Sequence, residues 1–349
     1  MGKLAAIVMT TAALATAAQA QSTRVRVLAT GGTIAGAQAS PGEYGYKSGS
    51  FEIKDLIGAV PGLDKLAVIT GEQVVNIGSQ DMNDEVWLKL AGRLREVLRA
   101  PDVDGVVITH GTDTMEETSF FLSLVTPSDK PVVMVGSMRP ATAISADGPS
   151  NLYNRIAAAA NPEARGRGVL VSLNDELHYA RNVTKSNTSA VQTFVSPNRG
   201  PAGVANTGKV TWFARPDRKH GNASEFSVEG MAALPRVDIL YAHPNMSVGL
   251  IDAAIKDGAR GLVIAGVGDG NMSQAALDRL AAAAKNGIAV VRSTRVASGI
   301  VYRNNEVDDD ALGFVASGEF NPGKSRVLLQ LALTRTSDPV RIQQIFDEY

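Results

Sequence analysis

Along most of this chain, short apolar runs of strand length alternate with longer stretches of helical period. Residues 25–29 form a run rich in β-branched side chains that stops abruptly at Thr30-Gly31-Gly32-Thr33. A helix is predicted at 51–60 and a strand at 73–77. Residues 84–99 read as an amphipathic helix with Val86, Leu90, Leu94 and Leu98 on one face. The alternation continues with strands at 105–109, 131–135 and 169–173 and helices at 115–124 and 151–160. Nearly continuous apolar strands separated by helices predict a parallel sheet covered on both faces.

The pattern changes after this point. Residues 181–194 and 209–213 read as hairpin or edge elements, and the polar, basic stretch 215–224 opens a linker that runs to about residue 235. A second alternating unit follows, with strands at 237–241, 262–265 and 288–292 and helices at 250–256, 274–285, 325–334 and 339–346. The expectation is an α/β protein of two α/β domains. Residues 21–214 form the larger, a mostly parallel sheet flanked by helices in a Rossmann-like or flavodoxin-like arrangement, and 236–349 the smaller.

Composition narrows the functional classes. The chain of 349 residues is 44% hydrophobic and 20% charged, which suits a globular core, and its net charge of −1 gives no reason to expect binding to nucleic acid or an anionic membrane. Four histidines and no cysteine leave little material for a transition-metal site, and no cofactor is expected. Lys3, the apolar stretch 4–14 and Ala18-Gln19-Ala20 form a secretory signal peptide with cleavage after Ala20. The apolar segment is too short and too rich in small residues for a membrane anchor. A periplasmic chain without disulfides must be stabilised by core packing and subunit association.

Two glycine turns carry the candidate chemistry. Thr30-Gly31-Gly32-Thr33 ends the first strand, and its glycines let backbone N–H groups approach a ligand while Thr33 presents a hydroxyl at the carboxyl edge of the sheet. An ordinary βα turn with a capping threonine explains that stretch as well. Thr109-His110-Gly111-Thr112-Asp113-Thr114 repeats the design after another apolar strand. Helix capping accounts for Asp113 or Thr114 and for Glu116 and Glu117 in the following turn, but not for Thr112 beside Asp113 at the same edge. A threonine hydroxyl becomes a nucleophile only beside a base. Lys185 supplies one if it is held near Asp113, where the carboxylate favours the charged amine and desolvation opposes it. Gly78-Ser79-Gln80-Asp81 offers a hydroxyl, an amide and a carboxylate after a third strand, although Ser79 and Asp81 also suit helix caps.

Thr-Gly-Gly-Thr-Ile-Ala-Gly and Thr-His-Gly-Thr-Asp-Thr, spaced as here, resemble the two signature segments of bacterial type II L-asparaginases. The likeness extends through Met138-Arg139-Pro140, Ser145-Ala146-Asp147-Gly148 and Val183-Thr184-Lys185 to the stretches 266–271 and 331–339. The resemblance implies catalytic roles for Thr33, Thr112, Asp113 and Lys185, assisted by Tyr46 on a Gly-flanked lid. It implies substrate contacts from Ser79, Gln80, Thr112, Asp113 and Ser137, and from Asn271 and Glu306 of a neighbouring subunit in a homotetramer built as a dimer of close dimers. Gln80 after Ser79 matches the pattern of enzymes that prefer asparagine. The implied activity is hydrolysis of L-asparagine, with minor action on L-glutamine. The alternatives are a glutamine-preferring relative and, from another class, a periplasmic amino-acid binding protein.

Other patterns fail on physical grounds. Residues 318–325, Gly-Glu-Phe-Asn-Pro-Gly-Lys-Ser, match the phosphate-binding loop letter for letter, after a strand-like stretch at 314–316. Pro322 removes an N–H the phosphate cradle needs, and too little chain follows for a strand bearing a magnesium-binding acid. No Gly-x-Ser-x-Gly elbow and no His-Glu-x-x-His occur.

Overall fold

Five parallel strands form the main part of the larger sheet in the computed structural model, which describes residues 22–39 and 45–349. The expected signal peptide and residues 40–44 lie outside the described residues. In the N-terminal domain β1 (Arg24–Gly31), α1 (Ile53–Gly58), β2 (Val68–Ile77), α2 (Asp84–Arg99), β3 (Gly105–Thr109), α3 (Met115–Val125), β4 (Val132–Val135), α4 (Gly148–Ala160) and β5 (Val169–Leu173) follow one another. Then come β6 (Glu176–Tyr179), the two-residue strands β7 (Thr184–Lys185) and β8 (Phe194–Val195), and the hairpin β9 (Gly203–Asn206) and β10 (Lys209–Trp212). The C-terminal domain contains β11 (Val237–Tyr241), α5 (Gly249–Lys256), β12 (Gly261–Gly266), α6 (Gln274–Lys285), β13 (Ala289–Thr294), α7 (Asp309–Leu312), β14 (Phe314–Ala316), α8 (Pro322–Ala332) and α9 (Pro339–Glu348).

The large sheet runs β10-β9-β6-β5-β4-β3-β1-β2, with β5 to β2 parallel and the β6, β9 and β10 end antiparallel. The chain builds β2 on one side of β1 and then β3 on the other. The resulting crevice between the carboxyl ends of β1 and β3 is where doubly wound sheets bind ligands. The small sheet is parallel throughout, in the order β11-β12-β13-β14.

Side-chain alternation assigns the layers. On β3, Val106 and Ile108 face one core and Val107 faces another; on β12, Val263 faces one and Leu262 and Ile264 the other. α2, α3, α8 and α9 lie between the two sheets in one continuous core that includes Leu90, Phe121, Leu328 and Ile345. α1 and α4 cover the outer face of the large sheet, and α5 and α6 that of the small one. The segment read as linker packs into the shared core through Phe226, Val228 and Leu234.

Several expectations shift in detail. α2 has the expected bounds, but its buried stripe is Trp87, Leu90, Ala91, Leu94, Val97 and Leu98, and Val86 lies at its half-buried margin. The stripe follows the 3.6-residue period, and Val86 sits one position off its centre. β2 starts at Val68, five residues before the expected start, because an edge strand faces water on one side and lacks a continuous apolar run. β6 and α7 carry no periodic signal long enough to read.

Candidate active site

The three edge turns of the sequence reading meet at the carboxyl ends of β2, β1 and β3, which are neighbours in the sheet. β1 ends in Gly31, and Gly31 and Gly32 stand at φ of 100° and 83°, which only glycine adopts freely, before a 3-10 turn that carries Thr33. Thr33 is buried, and its Oγ1 lies 2.6 Å from Tyr46 Oη. Tyr46 itself is half exposed. It comes back to the turn through an antiparallel bridge in which Ala37 and Lys47 exchange N–H···O bonds of 3.1 and 2.9 Å. Its ring lies over Gly36, where an added Cβ would stand 2.7 Å from Tyr46 Cδ2.

The second turn carries Thr112, buried, and Asp113, exposed. Lys185 Nζ donates to Thr112 Oγ1 at 3.0 Å and to Asp113 Oδ1 at 2.6 Å. Seventy-odd residues of chain separate these partners; β7, held antiparallel to β8, returns Lys185 to the sheet edge. The lysine side chain is largely covered while the carboxylate is open to solvent, so the pair combines a confined ammonium with a solvated counter-charge. The sequence condition for a working lysine, proximity to Asp113, is therefore met.

Ser79 joins the second turn to the third. Its Oγ accepts Asp113 N–H at 3.1 Å, and its carbonyl accepts Thr114 Oγ1 at 2.8 Å. The Gln80 side chain is exposed and folds back over Gly78, where a Cβ would meet its amide at 2.4 Å. Ser137, buried after β4, donates from Oγ to Arg139 O at 2.7 Å, and neighbouring Gly136 lies against the Thr112 methyl group. Asn271 and Glu306 hydrogen-bond each other within the C-terminal domain, where Asn271 also exchanges backbone bonds with Val267. The chain brings Thr33 to Tyr46, and Thr112, Asp113 and Ser79 to Lys185. It gathers Asn271 and Glu306 separately.

Asp147 is a contributor that residue types alone leave unassigned. It stands where a helix N-cap belongs, yet its carboxylate does not cap α4. It accepts Met138 N–H at 3.0 Å, Arg139 N–H at 2.9 Å and Asn151 Nδ2 at 3.0 Å, and so pins the turn that holds Ser137. The readable signal is its position eight residues past Arg139, before a Gly-Pro helix start. Behind Thr112, His110 is fully buried. Its Nδ1–H donates to Gly111 O at 2.7 Å, and its Nε2 has no partner among the described residues. Desolvation pushes its pKa down to about 4, so the imidazole is neutral near pH 7.

The rejected phosphate-loop match also has a structural account. Asn321 caps α8 by accepting Lys324 N–H at 2.9 Å, and the Lys324 ammonium is buried against protein carbonyls. Among the described residues no group of three or more His, Cys, Asp and Glu is placed to hold a metal ion.

Comparison with known proteins returns two family models end to end. The model described as "Asparaginase, N-terminal" matches residues 24–218, and "Glutaminase/Asparaginase C-terminal domain" matches 236–346. The chain is 54% identical over 325 residues to a Haemophilus influenzae protein named "Probable L-asparaginase periplasmic", covering 93% of each. It is 52% identical over 325 residues to "L-asparaginase 2" of Escherichia coli, again with 93% of each covered. The crystal structure of a probable cytoplasmic L-asparaginase from Campylobacter jejuni superposes with a TM-score of 0.91 at 46% identity, covering 94% of this chain and all of that one.

Proposed function

The chain belongs to the asparaginase family, and on that premise we propose that Thr33, Thr112, Asp113, Lys185 and Tyr46 carry its reaction, the hydrolysis of L-asparagine to L-aspartate and ammonia. The observation that carries this assignment is the position of the Lys185 ammonium, which donates to Thr112 Oγ1 and Asp113 Oδ1 together. A lysine that serves only as a surface charge has no reason to meet a buried hydroxyl.

The substrate carboxylate and α-amino group lie against Ser79, Gln80 and Asp113, with the side-chain amide between the two threonines. Thr33 Oγ1 attacks the amide carbon while its proton is relayed through the Tyr46 hydroxyl, which lies 2.6 Å away, is half exposed and gives up its own proton to solvent in the same step. Backbone N–H groups near Thr112 and Ser137 stabilise the oxyanion. The tetrahedral intermediate collapses as the amide nitrogen takes a proton from the Thr112–Lys185–Asp113 set and leaves as ammonia. Water then hydrolyses the ester on Thr33 and releases aspartate. The same site accepts L-glutamine less well, since one more methylene misplaces the amide relative to Thr33. Asn271 and Glu306, which hydrogen-bond each other in the C-terminal domain, complete the site of a neighbouring subunit in a homotetramer. The chain is exported to the periplasm with cleavage after Ala20; among the described residues no helix is long and apolar enough to cross a membrane.

The test is ammonia release from the purified mature chain given L-asparagine and L-glutamine in parallel, with Thr33→Ala as control. Fast release from asparagine, slower release from glutamine and none from the variant is the expected result. Undiminished release from Thr33→Ala overturns the nucleophile. Tight binding of either amino acid without ammonia turns the cluster into a ligand clamp.

A further inference from the structure

Lys324 sits on the first turn of α8, in the C-terminal domain, and is only 3% exposed. Its Nζ donates to Arg181 O at 3.0 Å and to Val183 O. These carbonyls lie in the turn between β6 and β7, and Val183 stands two residues before Lys185. β7 needs such support because it is two residues long and, among the described residues, pairs only with β8, outside the large sheet. Asn321, one turn earlier, reaches the same region: its Nδ2 lies 3.5 Å from Thr184 Oγ1 and 3.4 Å from both Glu116 carboxylate oxygens. Glu116 belongs to the first turn of α3, immediately after Asp113 and Thr114. The start of α8 therefore joins, from behind, the helix that follows Asp113 and the strand that carries Lys185.

We infer that Lys324 is a positioning residue for Lys185, fixing the backbone from which the Lys185 ammonium reaches Thr112 and Asp113. This rests on Lys185 taking part in turnover as proposed above. The physical reason is that a buried ammonium holds two carbonyls at once. An apolar side chain of equal length leaves both unsatisfied and lets the short strand shift. Displacements of about 1 Å at a reacting group cost on the order of 100-fold in rate. A side chain that acts only through Lys185 has nothing left to contribute once Lys185 is gone.

The experiment is a double-mutant cycle on the full mature chain with Lys324→Met, Lys185→Met and the double variant, measuring kcat and KM for L-asparagine and thermal melting. Lys324→Met is expected to lower kcat about tenfold or more with KM within about threefold. In the Lys185→Met background the same change is expected to lower kcat no further. Undiminished kcat in Lys324→Met overturns the inference, as does an equal fall in both backgrounds. Turnover retained by Lys185→Met alone removes the catalytic lysine itself, which separates failure of the underlying reading from failure of the positioning role. If Lys324→Met does not fold, Lys324→Met with Glu117→Gln removes a half-buried acid that acts on the Lys324 charge along with the cation. Failure of both to fold assigns Lys324 to folding and overturns the positioning role.

Discussion

Gly32 and Gly111 touch backbone to backbone across the end of the sheet: a Cβ on Gly32 would stand 2.3 Å from Gly111 N and 2.5 Å from its Cα. This contact sets the distance between the turn bearing Thr33 and the turn bearing Thr112. Neither backbone can yield without moving a buried strand end. Gly32 also has φ of 83°, where a side chain is strained even in free space. Gly32→Ala should therefore cost roughly 3 kcal/mol of stability, from overpacking and backbone strain together. Its residual activity should be far below that fraction folded. Urea unfolding and kcat on the same preparation check both.

Thr33 and Tyr46 differ in what their loss should do. On the proposed mechanism Thr33→Ala removes the attacking oxygen, and turnover should fall by roughly 10⁴-fold or more while substrate binding persists. Tyr46→Phe keeps the ring over Gly36 and removes only the hydroxyl 2.6 Å from Thr33 Oγ1. The expected loss is about 10²- to 10⁴-fold in kcat, the range of one acid–base partner, with the melting temperature unchanged. Equal losses in the two variants would contradict the division of roles.

Asp147 holds the Ser137 turn by accepting two backbone N–H groups and Asn151. Asp147→Ala leaves those donors unpaired and should destabilise the fold by roughly 2 kcal/mol, since bonds to a charged acceptor are each worth about 1.5–3 kcal/mol and water recovers part of the loss. Asp147→Asn retains one acceptor oxygen and should retain more stability and kcat than Asp147→Ala. Denaturant midpoints and kinetics on both variants test the order.

His110 gives the protein a pH-dependent term. Its pKa is about 4 in the folded chain, from desolvation, against 6.5 when exposed. The unfolded chain therefore binds a proton between these values that the folded chain refuses. The contribution is present above pH 6.5 and is lost as pH falls toward 4, by about 3 kcal/mol over the window. In His110→Gln, the slope of unfolding free energy against pH over that window should fall by about one proton. An unchanged slope would show that His110 titrates normally in the folded protein.

Much of the site was readable because its signals are local. Apolar runs ending at Gly31-Gly32 and at Gly111 mark strand ends, and a strand end in an α/β sheet is where ligands bind. Thr33, Ser79, Thr112 and Asp113 each follow such an end directly, so residue order alone places them near one edge. β2 and β6 were less legible: β2, at the sheet edge, carries a half-polar pattern, and β6 is only four residues long.

Residue order sufficed for the alternation of strands and helices, the parallel class of the sheets and the glycine turns and, through its resemblance to a family, for the proposal of which residues react. Those properties come from periodicity and steric preference within a few residues. It took the packed fold to show that β1 lies between β2 and β3, that Lys185 meets Thr112 and Asp113, that Asp147 turns back to Met138 and Arg139, and that a buried Lys324 ties α8 to the strand bearing Lys185. These contacts join residues from eight to more than a hundred positions apart. They exist because the sheets and helices pack in one order, and no local pattern encodes the partner of a charged side chain.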